Sequence, residues 1–444
     1  MLKRITFVLL VWAQWTMAIP PDSLNLKEIW KVLSVQNLTL QQQRAAIEAA
    51  SATLNQARTN LWPTIQVGGS YQYISDIPRL SFALPLPGVQ FPEIEAGAHN
   101  QFDFRLQISQ PLFTGFKLTN AVAIETQRVA AQRIQAMRVR QQLLYQSGHL
   151  YLAYHLARLQ QRTLQTSWKR LQASLIRSRS LFKHQQATAF DTLRLANQQL
   201  RLRNQMAQIQ RQQEQILVQL QALLNYSTLP VLSSPDTTEP MLLVPEKVYW
   251  QQALANRPEL QSLKIQKQIA HLTQRIAQAE YFPQVYAFAS FHYGNPGANF
   301  FERRWNFYTV AGVQMQFDLW NWGRTHYRIQ EARARWHSIS LKEAKIIQDV
   351  RTEIHSLYLE MQQVRANQRY LQHLVEQERL RFQLVQNGFQ AGVATSLDLQ
   401  EAESALTAAQ LQRYQNQIAW LRLKLQMALA TGTIGQNLEE SHVQ

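Results

Sequence analysis

Between residues 64 and 73 the chain alternates: Ile65, Val67, Gly69, Tyr71 and Tyr73 fall on one side of an extended strand, and Thr64, Gln66, Gly68, Ser70 and Gln72 on the other. The rhythm is cleaner at 102–109, where Phe102, Phe104, Leu106 and Ile108 oppose Asp103, Arg105, Gln107 and Ser109. Two further rows follow: Val285, Ala287, Ala289, Phe291 and Tyr293, then Thr309, Ala311, Val313, Met315 and Phe317. Successive side chains point to opposite faces of a strand. The pattern therefore predicts four strands of about ten residues, each with one apolar and one polar face. Tyr286 and Phe288 interrupt the polar row of the third strand, which is the least clear of the four.

Elsewhere the period is close to 3.6. Helical stretches rich in Ala, Leu and Gln cover 24–61 and 246–281, and each meets a proline, in Leu61-Trp62-Pro63 and Tyr281-Phe282-Pro283. Proline pushes the residue before it toward extended backbone, so both stretches stop there. Much longer helices are predicted from 117 to about 181 and from 324 to about 387, with no proline and only Gly148 and Gly388 as weak points. At 1.5 Å per residue a run of roughly 65 residues reaches on the order of 100 Å. After short hairpins around 185–189 and 392–396, second helices occupy 192–225 and 399–430. Apolar residues spaced by three and four, as in Leu406, Leu411, Ile418, Leu421 and Leu425, predict antiparallel coiled-coil packing.

These elements come twice. A shift of 207 carries Pro111 onto Asp318 and pairs Leu112 with Leu319, Phe182 with Phe389, Thr188 with Thr395 and Asp191 with Asp398. Upstream the shift is 220, pairing Trp30 with Trp250, Leu40 with Leu260, Ala57 with Ala277 and Pro63 with Pro283, so the first copy holds 13 extra residues. They fall in 77–100, a loop between two strands that contains Pro78, Pro85, Pro87 and Pro92. So long a period marks a duplicated structural unit, and the change of offset marks where length is free to vary. Lys3 and Arg4 precede an apolar run at 5–12, and Thr16 and Ala18 suit a cleavage site. The expected organisation is a signal peptide at 1–18, a first repeat at 19–226, a proline-rich crossover at 227–245, a second repeat at 246–432 and a tail at 433–444.

Composition narrows the function. Cysteine is absent from the 444 residues, which excludes disulfides, thiolate chemistry and the amino-terminal Cys of a lipid-anchored lipoprotein. No window after the signal peptide has the 18 or more apolar residues of a membrane-spanning helix. The net charge of +16 is uneven: residues 117–211 hold 16 Lys/Arg against Glu125 and Asp191, a net of +14, whereas the equivalent 324–418 holds 12 basic and 10 acidic residues, a net of +2. A solvated basic face explains this, and so does a surface for anionic cargo or an acidic partner.

Strand pattern alone admits a soluble sheet covered by helices or strands of a membrane barrel with apolar residues toward lipid. Aromatic placement favours the barrel. Trp62 and Phe282 precede strands, Phe113, Trp320 and Trp322 follow them, and Phe300, Phe301 and Trp305 mark the opposite edge. Four strands cannot close, and a lipid-exposed open edge is not allowed, so several chains must share one barrel.

The order helix, proline, strand, loop, strand, Gln110-Pro111-Leu112-Phe113-x-Gly115, long helix, hairpin, Asp and helix, all repeated, resembles the TolC-like outer membrane efflux proteins over essentially the whole mature chain. The sharpest signatures are Trp320-Asn321-Trp322-Gly323-Arg324 and the run from Phe389 through Gly392 to Ser396-Leu397-Asp398-Leu399-Gln400-Glu401-Ala402-Glu403. The resemblance implies a mixed α/β membrane protein: a homotrimer whose chains give four strands each to one 12-stranded transmembrane β-barrel, continued by a long periplasmic α-helical coiled-coil barrel. It implies an exit duct in the outer membrane of a Gram-negative bacterium, serving efflux or type I secretion with a periplasmic membrane-fusion adaptor and an inner-membrane pump. It further implies an acidic constriction at Asp398, Glu401 and Asp191, with adaptor docking at the hairpin tips Gln185, Gln186, Ala187, Gly392, Val393 and Ala394. Where well-known members carry Tyr and Arg linking the second hairpin to the first, this chain has Phe389 and Ala394, and Gln185 stands where the repeat expects Gly.

No catalytic constellation is visible: there is no Gly-rich phosphate loop, no Gly-x-Ser-x-Gly elbow and no His-Glu-x-x-His. The eleven His are scattered without ligand spacing, so neither an enzyme nor a metal or cofactor site is expected. By residue type alone, Asp398 and Glu401 are also ordinary acids at a helix start. The rival of another class is a secreted basic coiled-coil protein binding an acidic polymer, such as nucleic acid, or an acidic partner; for the duct itself no nucleic acid is expected. That rival explains the charge and the helices but not the amphipathic strands.

Overall fold

A computed structural model describes residues 23–80, 94–95, 97–236, 240–299 and 301–436. The signal peptide, most of the enlarged loop, Phe300 and the end of the tail lie outside them. In chain order the main elements are α1 (Leu26–Gln36), α2 (Leu38–Thr59), β1 (Thr64–Tyr73), β2 (Asn100–Phe113), α3 (Lys117–Lys183), α4 (Ala189–Leu224), α5 (Glu246–Asn256), α6 (Pro258–Gln278), β3 (Gln284–Asn295), β4 (Asn306–Gln316), α7 (Arg324–Gln390) and α8 (Ser396–Ala430). Two-residue strands pair Ser23–Leu24 with Val231–Leu232, and Arg79–Leu80 with Ile94–Glu95. The chain divides into two compact units. One is Met1–Leu38, Arg140–Gln251 and Ile354–Gln444, and the other is Thr39–Val139 and Gln252–Glu353.

The second of these units carries the sheet. Its strands are antiparallel in the order β1-β2-β3-β4, with Thr64 opposite Ser109, Phe102 opposite Asn295 and Gln284 opposite Gln316. The central β2–β3 pairing joins a strand of each repeat, and the outer edges of β1 and β4 have no partner strand among the described residues. Pro111 has no N–H for the ladder, and the register shifts between it and Phe113. The third strand forms in full despite Tyr286 and Phe288, because cross-strand partners on both sides fix its register. The apolar face of the sheet is uncovered on the other three strands: Ile65, Val67, Tyr71, Phe104, Phe307, Val313 and Met315 are all exposed, Val67 at 83%.

Two expected single helices are broken. The stretch before β1 splits at Asn37, and the stretch before β3 splits at Arg257, where Pro258 opens α6 and a 3₁₀ turn at Ala279–Tyr281 follows it. Asn37 and Arg257 are equivalent under the 220-residue shift. Asn37 Nδ2 donates to the Leu223 carbonyl (2.8 Å), and Arg257 bridges Glu259 (3.1 Å) and Glu353 (2.7 Å). The long helices α3 and α7 each run 67 residues, through Gly148 and Gly388 without a break.

Each strand-to-helix junction uses two successive left-handed residues in opposite order. Gly115 (φ 60) and Phe116 (φ 66) precede α3, while Trp322 (φ 54) and Gly323 (φ 79) precede α7. A β-carbon on Gly115 would lie 2.7 Å from the Ala279 carbonyl oxygen. At the α3–α4 hairpin, Gln185 adopts φ 61, the left-handed conformation that its equivalent Gly392 adopts at φ 78. A side chain in this region costs about 1 kcal/mol relative to glycine.

In the first unit, Leu24, Ile29, Leu33, Leu220, Leu224 and Leu232 are buried together with Leu144 and Tyr151. Trp30 Nε1 donates to the Leu144 carbonyl (3.0 Å) and the Tyr151 hydroxyl to the Ser233 carbonyl (2.6 Å). His155, 2% exposed, packs edge-on against Tyr151 and Tyr154, and its Nε2 has no hydrogen-bond partner. Burial, aided by Arg158, lowers its pKa from 6.5 to about 4.

Two outcomes follow for stability. Gln185→Gly should raise the urea-unfolding midpoint, by the equivalent of about 1 kcal/mol, because glycine removes the left-handed penalty. For His155 the folded pKa lies below the unfolded one, so between the two the unfolded state binds more protons and stability falls as pH drops. The loss should run from pH 6.5 to about 4, reach about 3 kcal/mol and vanish in His155→Gln, read as urea midpoints across that range.

Candidate functional site

The first site lies at the hairpin ends. Thr188 caps α4 and Thr395 caps α8, and each forms a capping box with the acid three residues on, Asp191 or Asp398. Asp191 and Asp398 accept from the Thr188 and Thr395 backbone N–H groups at 3.1 and 2.9 Å, satisfying donors that the helix start leaves free. Asp191 also accepts from the Ser396 hydroxyl, which ties the first hairpin to the second. That bond, then those from Thr188, hold the Asp191 carboxyl below its ordinary pKa; the Thr395 hydroxyl does the same for Asp398. Asp398, on the first turn of α8, and Glu401, three residues further on, are both exposed. The helix-start role of the acids is thus present, and Asp398 and Glu401 keep a free face besides.

A few turns along the helices, Arg170 of α3 donates from Nη2 to Glu403 (2.6 Å) and Thr407 (3.2 Å) of α8, and its guanidinium stands 5.3 Å from the centre of the Phe382 ring of α7. Glu403 is 2% exposed. A buried carboxylate needs such a partner, because removing it would strand a charge in a low-dielectric interior. Phe389 sits inside a cluster with Phe382, Leu399, Ala402 and Leu406, against which Ala394 packs. It is core, and the links between hairpins are made instead by Asp191–Ser396 and Arg170–Glu403. In the sequence Ser396 and Glu403 stand only as letters of the family signature, and nothing singles out Arg170. Glu403, a charge among the apolar positions Ala402, Leu406 and Ala409, was the available signal.

At the tips, Gln185, Gln186, Gly392 and Val393 are exposed, with Ala187 and Ala394 half-buried. Phe190, Leu193 and Leu397, absent from the sequence-based set, are exposed beside them, and Val393 reaches 85%. The hairpin ends therefore carry uncovered apolar side chains beside their polar and charged ones.

The second site is a pair of aromatic rims on the sheet. At the helix end, Trp62, Phe282, Trp320 and Trp322 are exposed, and Trp320 and Trp322 meet edge-to-face at 5.8 Å. Phe113 does not follow its strand: it is the last residue of β2, opposite Val285 across the bulge, and packs on Phe116 and Phe282 at 5.6 and 6.4 Å. At the loop end Trp305 lies 4.9 Å from Tyr293 and 5.8 Å from Phe102, with Phe301 exposed. Among the described residues no helix is long and apolar enough to cross a membrane, and no cluster of three or more His, Cys, Asp or Glu is gathered for a metal.

Known proteins share this arrangement. The alkaline protease secretion protein AprF of Pseudomonas aeruginosa is 25% identical over 177 residues, 39% of this chain and 37% of AprF, so the chain aligns with little more than a third of that relative. Among solved structures, CusC, studied for transmembrane channel formation, superposes with a TM-score of 0.76 over 92% of each chain at 17% identity. The outer membrane protein VceC of Vibrio cholerae gives 0.73 over 92% of this chain and 96% of its own, at 16% identity. At such identities the likeness is one of fold. The outer membrane efflux protein family, in contrast, matches in sequence at residues 31–226 and 249–433, both repeats almost entire, and the chain belongs to that family.

Proposed function

We propose that this chain is the outer-membrane exit duct of a tripartite efflux or type I secretion system in a Gram-negative bacterium. The observation that carries the reading is the four-stranded sheet with a bare apolar face, two aromatic rims and two unpartnered edges. Ten strand residues cover about 33 Å, which at the tilt of membrane barrels spans roughly the 25 Å apolar band between girdles. Four strands leave edges that hydrocarbon does not tolerate, and three copies supply the twelve strands that close them. The duplicated helical hairpins continue the barrel as a periplasmic tunnel. It opens toward a membrane-fusion adaptor, seated on the tip residues Gln185, Gln186, Ala187, Gly392, Val393 and Ala394, and beyond it toward an inner-membrane pump.

The secreted-binder alternative leaves the bare apolar sheet face unexplained, since water would oppose exposing it. Substrate moves passively, so no catalytic group is required. In this reading Asp398 and Glu401, repeated by symmetry, form rings of negative charge at the narrow end, with Asp191 beside them holding the two hairpins together.

Purified protein should migrate in detergent as a heat-resistant trimer and give discrete, cation-preferring channels in planar bilayers. Asp398→Ala/Glu401→Ala should weaken that preference; an unchanged preference would move the constriction elsewhere, and a soluble monomer would overturn the duct. Ser396→Ala keeps every charge but removes the bond to Asp191. It should raise single-channel conductance, and an unaltered conductance would leave that bond a purely local one.

A further inference from the structure

Where the sheet passes into helices, the end of α6 and the start of α7 flank an open cleft of about 620 Å³. Gln278, Tyr281 and Phe282 line one side, and His326, Ile329, Gln330 and Arg333 the other. Phe282 joins this cleft to the apolar face of the sheet. It packs edge-on against Phe113 at 6.4 Å, and Phe113 stands opposite Val285 of the apolar row. Trp320 and Trp322, exposed at the same rim, come just before α7.

The charges around the cleft are unevenly used. Residues 324–335 hold four arginines, and three have carboxylate partners: Arg324 pairs with Asp318, Arg328 with Glu280 and Arg335 with Glu331. Arg333, which lines the cleft, has no carboxylate partner among the described residues. No acid lines the cleft either. Glu280, next to Tyr281, is committed to Thr325 and Arg328 and is absent from the lining. Under the 207-residue shift His326 and Arg333 correspond to Thr119 and Thr126, so this basic pair belongs to the second repeat alone.

We propose that the cleft seats the phosphate headgroup of an anionic phospholipid from the inner leaflet of the outer membrane, its acyl chains running along the apolar face past Phe282. The inference rests on the duct reading, which puts the helix end of the sheet at the periplasmic surface of the membrane. A guanidinium fits a phosphate with two parallel N–H donors, and a basic pocket at this depth suits a lipid headgroup. Arg333 lies about 14 Å along α7, and helical side chains lean toward the N-terminus, which carries its guanidinium back toward the sheet. A ring N–H of His326 and the amides of Gln278 and Gln330 are further donors for phosphate or glycerol oxygens. Phe282 and Ile329 supply an apolar floor where the acyl chains begin, and Tyr281 has the amphipathic ring of an interfacial residue.

The test is native mass spectrometry of the purified trimer in detergent micelles titrated with dioleoylphosphatidylglycerol. The wild type should saturate at three lipids per trimer, one for each copy of the cleft, and bind dioleoylphosphatidylcholine less tightly. His326→Gln/Arg333→Gln should weaken phosphatidylglycerol binding by about tenfold or more, as expected for the loss of charge-assisted hydrogen bonds. Both side chains are exposed, so the trimer should survive the change. Arg335→Gln, on the same helix but paired with Glu331, should bind as the wild type does. Absence of saturable binding, no preference between the two lipids, wild-type affinity in the double variant or an equal loss in Arg335→Gln would overturn the proposal. Displacement of the lipid by millimolar inorganic phosphate would also overturn it, since the cleft would then hold free phosphate. A wild type that is a monomer soluble without detergent would instead count against the duct itself.

Discussion

A strand edge facing hydrocarbon leaves backbone N–H and C=O groups without partners, each at a cost of several kcal/mol, and this constraint governs the molecule. The sheet of one chain ends in two such edges, and no further strand of the described chain pairs with them. The proposed shared barrel is therefore a consequence of hydrogen bonding before it is a matter of pore size. It also gives the duplication a physical role. The strands β2 and β3 that meet in the middle come from different copies, so the sheet forms only when both repeats are in place. Each long helix is entered through two successive left-handed residues, Gly115 and Phe116 before α3 and Trp322 and Gly323 before α7.

The alternation of apolar and polar residues was legible because it is local. A strand of ten residues displays its two faces in its own sequence, and the duplication could be found by sliding the chain along itself. The helix breaks at Asn37 and Arg257 were harder to see, since Ala, Leu and Gln continue across them and only Pro258 punctuates the second. Asn37 stops its helix by reaching residue 223, a partner that no local window contains.

The hairpin ends show a different limit. Asp191 and Asp398 announce themselves through the spacing of a capping box, yet their further difference, that Asp191 alone accepts from Ser396, depends on how two hairpins lie together within one unit. Phe389 looked like the loss of a polar link. In the folded chain it fills a core position, and Arg170 and Glu403, a few turns away, join one hairpin to the other. Function of this kind is held by pairs distant in sequence, and a pair is visible only when both members are seen in contact.

The constant 207-residue offset from Pro111 to Asp191 means that neither copy has gained or lost a residue between its second strand and the far side of its hairpin. One residue added to a single long helix would lift that hairpin by about 1.5 Å and turn it by 100°, carrying Asp191 off Ser396. The helices thus act as matched rulers, tolerant of substitution but not of insertion. The loop at 77–100, where the copies already differ by 13 residues, is where this architecture can accept new length, and an epitope tag belongs there rather than anywhere along the long helices.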